Sequence, residues 1–209
     1  MWSSHLTFEK DVSALEPSDL WQIAYDAYAE MEINRALYKV TGPKSTPRAM
    51  TVLAVGKEIF LASSMRGGSN FAFVYPKTKV STILEQCQAT FHKNGGTSTT
   101  GHKNQASCGE VMTAQLYYTT EKNKDTPLQD REARVCTVVR NKEDVPANTN
   151  PCDSLQTWGC NLFVKELGVK VVDKRVQAKP FDLVEKMGKP VIDQIPLCAA
   201  DYKPPNEDA

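Results

Sequence analysis

The order of helical and strand-like runs is the feature that most restricts how this chain folds. Two runs rich in β-branched and aromatic residues, 50–55 and 59–64, flank a short Gly56-Lys57 turn and predict a β-hairpin. After the hairpin, helical and strand-like periodicities alternate: helices at 79–92, 108–120 and 158–167, and strands at 134–140 and 169–172. This alternation predicts an α/β fold with a mixed sheet, antiparallel in the first hairpin and parallel in the later strands.

The length of 209 residues suits one domain with short extensions. Before the hairpin, apolar residues at helical spacing predict an amphipathic helix over 18–38, with Ser18 as its N-cap. The region after Lys174 contains five prolines and one short helical run, 181–187. We therefore divide the chain into an N-terminal extension (1–17), a central domain (18–173) and a C-terminal extension (174–209) that packs on it and frays at its end.

The charge balance excludes a global attraction to polyanions, because 25 Lys and Arg residues match 25 Asp and Glu residues. No apolar run reaches transmembrane length, so no membrane partner is expected. The first ten residues lack the basic-then-apolar pattern of a signal peptide. A cytoplasmic location is the default expectation, although a toxin-like domain cut from an exported chain would have the same composition.

Three of the six cysteines lie at or near predicted helix starts. Cys108 begins one helical run and has Glu110 two residues beyond it, while Cys152 precedes another run and Cys160 lies near its start. The exposed amides and the dipole of a helix N-terminus stabilise a thiolate, which is the form that binds metals. Three thiolates with a nearby free carboxylate suit a catalytic zinc ion, which needs an open fourth position and a proton carrier.

Three segments resemble the cytidine-deaminase-like superfamily of zinc deaminases, which includes bacterial toxin deaminases and nucleic-acid-editing enzymes. Cys108-Gly109-Glu110 matches the cysteine form of its H-x-E element, and Pro151-Cys152 matches the start of its P-C-x-x-C element. The segment 160–173 is similar to the segment after the last ligand in such proteins. The resemblance covers roughly 20–173, but seven residues separate Cys152 from Cys160 where the family has two.

The resemblance implies a three-layer α/β/α sandwich that binds Zn²⁺ through Cys108, Cys152 and Cys160. It also implies hydrolytic deamination of a nucleobase, most readily cytosine in nucleic acid, with Glu110 as the proton carrier. The Gly109 amide would help to position the attacking oxygen. The likeness to toxins further allows an inhibitor or immunity protein as a partner.

The sequence restricts the identity of the substrate less than that of the reaction. A free nucleoside or nucleotide remains an alternative to a polymer. The segment 88–107 has no acidic residue and carries His92, Lys93, His102 and Lys103, which favours contacts with phosphates over a neutral ligand. We take Asn70, His102 and Lys103 as candidate substrate contacts.

Three other interpretations of the same residues stay open. Ser107 and Glu110 have the spacing of a helix capping box, which needs no catalysis. Cys152 and Cys160 would form a disulfide if the domain were a structural or interaction module. Cys108 would be a nucleophile, with His102 as its base, if the protein were a thiol enzyme.

Overall fold

The computed structural model describes residues 1–42, 45–66, 78–97, 101–154, 157–193 and 195. These residues form one seven-stranded sheet with helices on both faces. The strands are β1 (Ser3–Thr7), β2 (Ala49–Val55), β3 (Glu58–Ser63), β4 (Arg134–Arg140), β5 (Pro146–Thr149), β6 (Lys170–Val171) and β7 (Val191–Asp193). The helices are α1 (Pro17–Leu37), α2 (Lys79–Lys93), α3 (Gly109–Thr119), α4 (Cys160–Glu166) and α5 (Leu183–Met187).

The strands lie in the order β5-β4-β2-β3-β1-β7, and β6 pairs with the first residues of β4. The hairpin of β2 and β3 turns at Gly56, whose φ of +55° is a conformation that glycine adopts without strain. The terminal segments both supply strands, because β1 pairs with β3 on one side and with β7 on the other. None of the helices in the described ranges combines the length and apolarity needed to cross a membrane.

The prediction of parallel strands after the hairpin is wrong, except for the two-residue pairing of β6 with β4. After α2 and α3, the chain runs in the direction of β3 but pairs with β2, the opposite strand of the hairpin. The β4 pairing is therefore antiparallel. Residues 141–145, predicted only as a polar turn, lead back into the antiparallel strand β5.

Successive side chains of β2 point alternately into the two halves of the core on opposite faces of the sheet, as the two-residue period of a strand requires. Met50, Val52 and Ala54 pack with α1 on one face, while Leu53 and Val55 pack with α2, α3 and α4 on the other. The sheet is thus covered on both faces, and the predicted cysteines and Glu110 all lie on the face of α3 and α4.

Helix α1 begins earlier than predicted. Glu16, not Ser18, is its N-cap, and Glu16 and Asp19 bond reciprocally as a capping box, with Pro17 at the first helical position. Proline suits that position because its missing N–H would have no partner there.

Candidate metal centre

Cys108 is the N-cap residue of α3, and it is held there by the contact of Gly109 with the sheet. A Cβ at Gly109 would lie 2.2 Å from Thr51 Oγ1 and 3.0 Å from the carbonyl oxygen of Ala62. Only glycine lets the start of α3 approach β2 and β3 this closely. This packing role of Gly109 was not predicted; the substrate role of its amide stays a prediction.

Cys152 and Cys160 lie together although seven residues separate them in sequence. The Cys160 N–H donates to Cys152 Sγ at 3.3 Å, and the Asn161 N–H donates to the Cys152 carbonyl at 3.1 Å. Between them Gly159 touches the Cys152 backbone, where an added Cβ would lie 2.2 Å from its carbonyl oxygen. Cys152 and Cys160 are therefore close in space despite their long spacing in sequence.

Four side chains form a cluster of candidate metal ligands: His102, Cys108, Cys152 and Cys160, whose ligand atoms all lie within 4.8 Å of one another. The Cys108 and Cys152 sulfurs are 3.8 Å apart, and His102 Nε2 lies 3.2 Å from Cys160 Sγ and 3.9 Å from Cys152 Sγ. The sequence predicted the three cysteines as ligands but assigned His102 to the substrate.

The cluster is compatible with a metal ion such as zinc. Sulfurs at ~2.3 Å from a tetrahedral zinc are about 3.8 Å apart, which is the spacing of Cys108 and Cys152. Thiolate and imidazole ligands also favour zinc over cations that prefer oxygen ligands. The five cysteines in the described ranges are free thiols, so the Cys152–Cys160 disulfide of the structural alternative is not formed.

The three thiols of the cluster differ in acidity because they share hydrogen bonds. Bonds from the Cys108 and Cys160 thiols lower the pKa of Cys152 well below its ordinary value. The same bond to Cys152 raises the pKa of Cys108, and burial, followed by its sulfur neighbours, raises that of Cys160. Hydrogen bonds within the cluster therefore favour a thiolate at Cys152.

Glu110 points its carboxylate to the sheet beside the cluster. The Thr137 hydroxyl donates to Glu110 Oε1 at 3.0 Å, and Thr51 Oγ1 lies 2.8 Å from Thr137 Oγ1. Burial raises the pKa of Glu110, and hydrogen bonds, including those from Thr137 and Cys160, oppose this rise. The alternative capping box is not formed, because Cys108 is the N-cap of α3 and the Ser107 N–H donates to the Asn104 carbonyl.

A groove of about 700 Å³ opens over this site. Cys108, Gly109, Glu110 and Cys152 line it, and so do four cationic side chains: Arg48, Arg66, Lys103 and Arg140. Among its described lining residues, Glu110 is the only carboxylate.

Arg140 is already paired with Glu32 and Asp144, and Lys103 Nζ donates to the Asp153 carbonyl. Arg48 and Arg66 form no ion pair with any residue in the described ranges. The groove therefore presents positive charge that is not fully neutralised.

The remaining predicted residues lie apart from the cluster or contribute differently. His92 is in the last turn of α2, where it contacts Gln88, and Asn70 lies outside the described residues. His102 hydrogen-bonds with Cys160 and Cys152 rather than with Cys108, so the structure does not show the Cys–His pair of a thiol enzyme. Sequence reasoning missed Thr51 and Thr137, whose signal is a pair of threonines inside two apolar strands.

No known protein family, curated protein or solved structure matches the chain. The function must therefore be argued from the geometry of this site.

Proposed function

We propose that the protein is a zinc-dependent hydrolytic deaminase that acts on a nucleobase, most readily cytosine in nucleic acid. The observation that carries this proposal is the position of Glu110. This buried carboxylate lies two residues beyond Cys108, beside the cysteine cluster, and lines the same groove as Cys108 and Cys152. A purely structural metal site has no need of a titratable carboxylate there.

The resident metal would be held by Cys108, Cys152 and Cys160, with His102 in contact with Cys152 and Cys160. When bound, zinc supplies a Lewis acid that lowers the pKa of a water molecule toward neutrality. Hydrolytic deamination replaces the exocyclic amine of the base with an oxygen from water and releases ammonia, so protons must move from the water to the ring nitrogen and the amine.

Glu110 is suited to carry these protons. Burial raises its pKa above that of an ordinary carboxyl, so a proton on it is retained more readily near neutral pH. The Thr137 hydroxyl fixes one carboxyl oxygen, Oε1, and so holds the group against the sheet where it lines the groove. A carboxyl group held in this orientation can accept a proton from the water and release it to the ring nitrogen or the amine without moving.

The rim of the groove favours a substrate that carries phosphate. Arg48, Arg66 and Lys103 are exposed or partly exposed, and phosphate groups are bound by such side chains. A free nucleoside would have no use for these charges. Polymer and mononucleotide substrates both fit this chemistry. We propose the polymer because three residues that line the groove, Lys103, Asn104 and Gln105, are exposed to solvent.

The decisive variant is Glu110→Gln, which removes the proton carrier and keeps the shape of the side chain. We expect turnover of a single-stranded oligonucleotide containing one cytosine to fall by about 100- to 10,000-fold, with the zinc content unchanged. Conversion of cytosine to uracil, measured by mass spectrometry beside ammonia release, provides the assay. Glu143→Gln, an exposed residue outside the groove, is the matched control. Unreduced turnover in Glu110→Gln would refute the assignment.

A second candidate is a structural metal site, and the observation that favours it is the presence of a fourth ligand atom, His102 Nε2, within the cluster. Closed sites with three cysteines and one histidine hold folds together without catalysis. This candidate predicts that metal removal unfolds the protein and that Glu110→Gln changes no activity.

A further inference from the structure

A nitrogen atom lies within hydrogen-bonding distance of each of the three sulfurs in the cluster. Asn104 Nδ2 donates to Cys108 Sγ at 3.3 Å, the Cys160 amide donates to Cys152 Sγ at 3.3 Å, and His102 Nε2 lies 3.2 Å from Cys160 Sγ. Hydrogen bonds donated to a sulfur favour its thiolate form, which is the form that binds a metal. The remaining question is whether His102 belongs with the donors or with the ligands.

The other nitrogen of His102 answers this question. Its Nδ1 lies 3.1 Å from the backbone nitrogen of Asn104 and 3.2 Å from that of Ala106, and both N–H groups point at it. A backbone N–H can only donate, so Nδ1 must hold a lone pair. The proton of the neutral ring is then on Nε2, the nitrogen that faces the sulfurs.

A histidine that binds a metal through Nε2 normally carries its proton on Nδ1 and donates it to a nearby oxygen. Binding through Nε2 here would leave both ring nitrogens without a proton. Turning the ring over would place a C–H group against the two backbone N–H groups. Trp158 also restrains the buried ring, because it packs edge-on against it at 4.9 Å.

We propose that His102 is a positioning residue that donates its Nε2–H to the Cys160 thiolate and is not a fourth metal ligand. The inference rests on the proposed function, because it makes the site an open three-cysteine centre. Its open position would face the groove, which Cys108, Cys152 and Glu110 line but His102 and Cys160 do not. The Nε2–H hydrogen bond would also stabilise the negative charge on the Cys160 sulfur.

Reconstitution of the full-length protein with cadmium-113 tests this directly. Scalar couplings from the metal should reach the β-protons of Cys108, Cys152 and Cys160 and no ring proton of His102. A coupling to the His102 ring would overturn the inference and favour the structural site. The absence of couplings to the three cysteines would instead refute the metal centre, so the two failures are distinguishable.

Two variants give an independent readout. His102→Gln keeps an N–H donor near the position of Nε2 but is a poor zinc ligand, whereas His102→Ala removes both functions. We expect the zinc dissociation constant to stay within about 10-fold of wild type in His102→Gln and to rise about 10- to 100-fold in His102→Ala. An equal rise in both variants would contradict a donor role. The cadmium experiment needs no variant and stands even if one of them fails to fold.

Discussion

Gly159 lets Cys152 and Cys160 approach each other in the candidate metal cluster despite their long spacing in sequence. Gly159→Ala is the perturbation that tests this role. The added Cβ would lie 2.2 Å from the Cys152 carbonyl oxygen, where real Cβ contacts are not shorter than 3.0 Å. The two segments must therefore separate by at least about 0.8 Å, the difference of these distances. Metal–ligand distances tolerate deviations of only about 0.2 Å.

The separation would strain both hydrogen bonds to Cys152, those from the Cys160 and Asn161 amides. Overpacking of this kind destabilises a protein by about 1–3 kcal/mol, and loss of support around a ligand weakens metal affinity about 10- to 100-fold. We expect the zinc dissociation constant to rise by that factor in a competition titration against a chromophoric chelator. The backbone of Gly159 has φ −138°, so strain of a positive φ does not contribute.

Gly95→Ala is the matched control. Its φ of +88° makes alanine unfavourable, but an added Cβ would have no atom within 4 Å. This variant should lose about 1 kcal/mol of unfolding free energy and keep wild-type zinc affinity. Wild-type zinc affinity in Gly159→Ala would refute the claim that this contact positions Cys152.

Three further predictions concern Glu110, Glu58 and the groove. Thr137→Val removes the hydroxyl that fixes Glu110 Oε1, so deamination should slow about 10-fold at unchanged zinc content, and an unchanged rate would show that this bond is dispensable. Burial alone would raise the pKa of Glu58, but hydrogen bonds from His5 and Asn123 and the charge of Lys122 lower it from 4.5 to about 2. As the pH falls, this carboxyl takes up a proton in the unfolded chain before it does so in the folded protein. Its contribution to the free energy of unfolding is therefore complete above about pH 4.5, and up to about 3 kcal/mol of it is lost between pH 4.5 and 2. Urea unfolding of Glu58→Gln over the same pH range should show a smaller loss. Arg48→Glu should raise KM for an oligonucleotide and weaken its salt dependence without changing turnover of free cytidine, and equal effects on both would exclude a phosphate contact.

Much of the secondary structure was predictable, because hydrophobic period is a local property. Strand β4 occupies the predicted residues, and the hairpin and helices α1 to α3 agree to within one or two residues. Strands β1 and β7 were missed because they contain five and three residues and carry little periodic signal. Strand β5 begins at Pro146 and is short and polar, so it resembles a turn.

Strand direction was not predictable from the same information. A strand that follows two helices can pair with either member of the hairpin, and the choice decides between parallel and antiparallel pairing. That choice depends on how α3 packs across the sheet, where Gly109 touches Thr51 on β2 and the Ala62 carbonyl on β3. It is a tertiary property, which no local pattern contains.

The sequence indicated the three cysteines of the candidate metal cluster but not its geometry or the place of His102 in it. Cys108, Glu110, Cys152 and Cys160 were selected by their resemblance to a deaminase motif, and the structure places them together. The spacing of Cys152 and Cys160 gave no indication that Gly159 brings them into contact. The role of His102 depends on two backbone N–H groups whose positions are fixed only by the fold.

The most direct test of the account is the metal content of protein purified without chelator, measured by mass spectrometry for wild type, Cys108→Ala and Cys87→Ala. Cys87 is buried in the core and lies outside the cluster, so it controls for the loss of a thiol. We expect about one zinc per chain in wild type and Cys87→Ala, and loss of that zinc in Cys108→Ala. Wild-type protein without zinc, or full zinc content in Cys108→Ala, would contradict it.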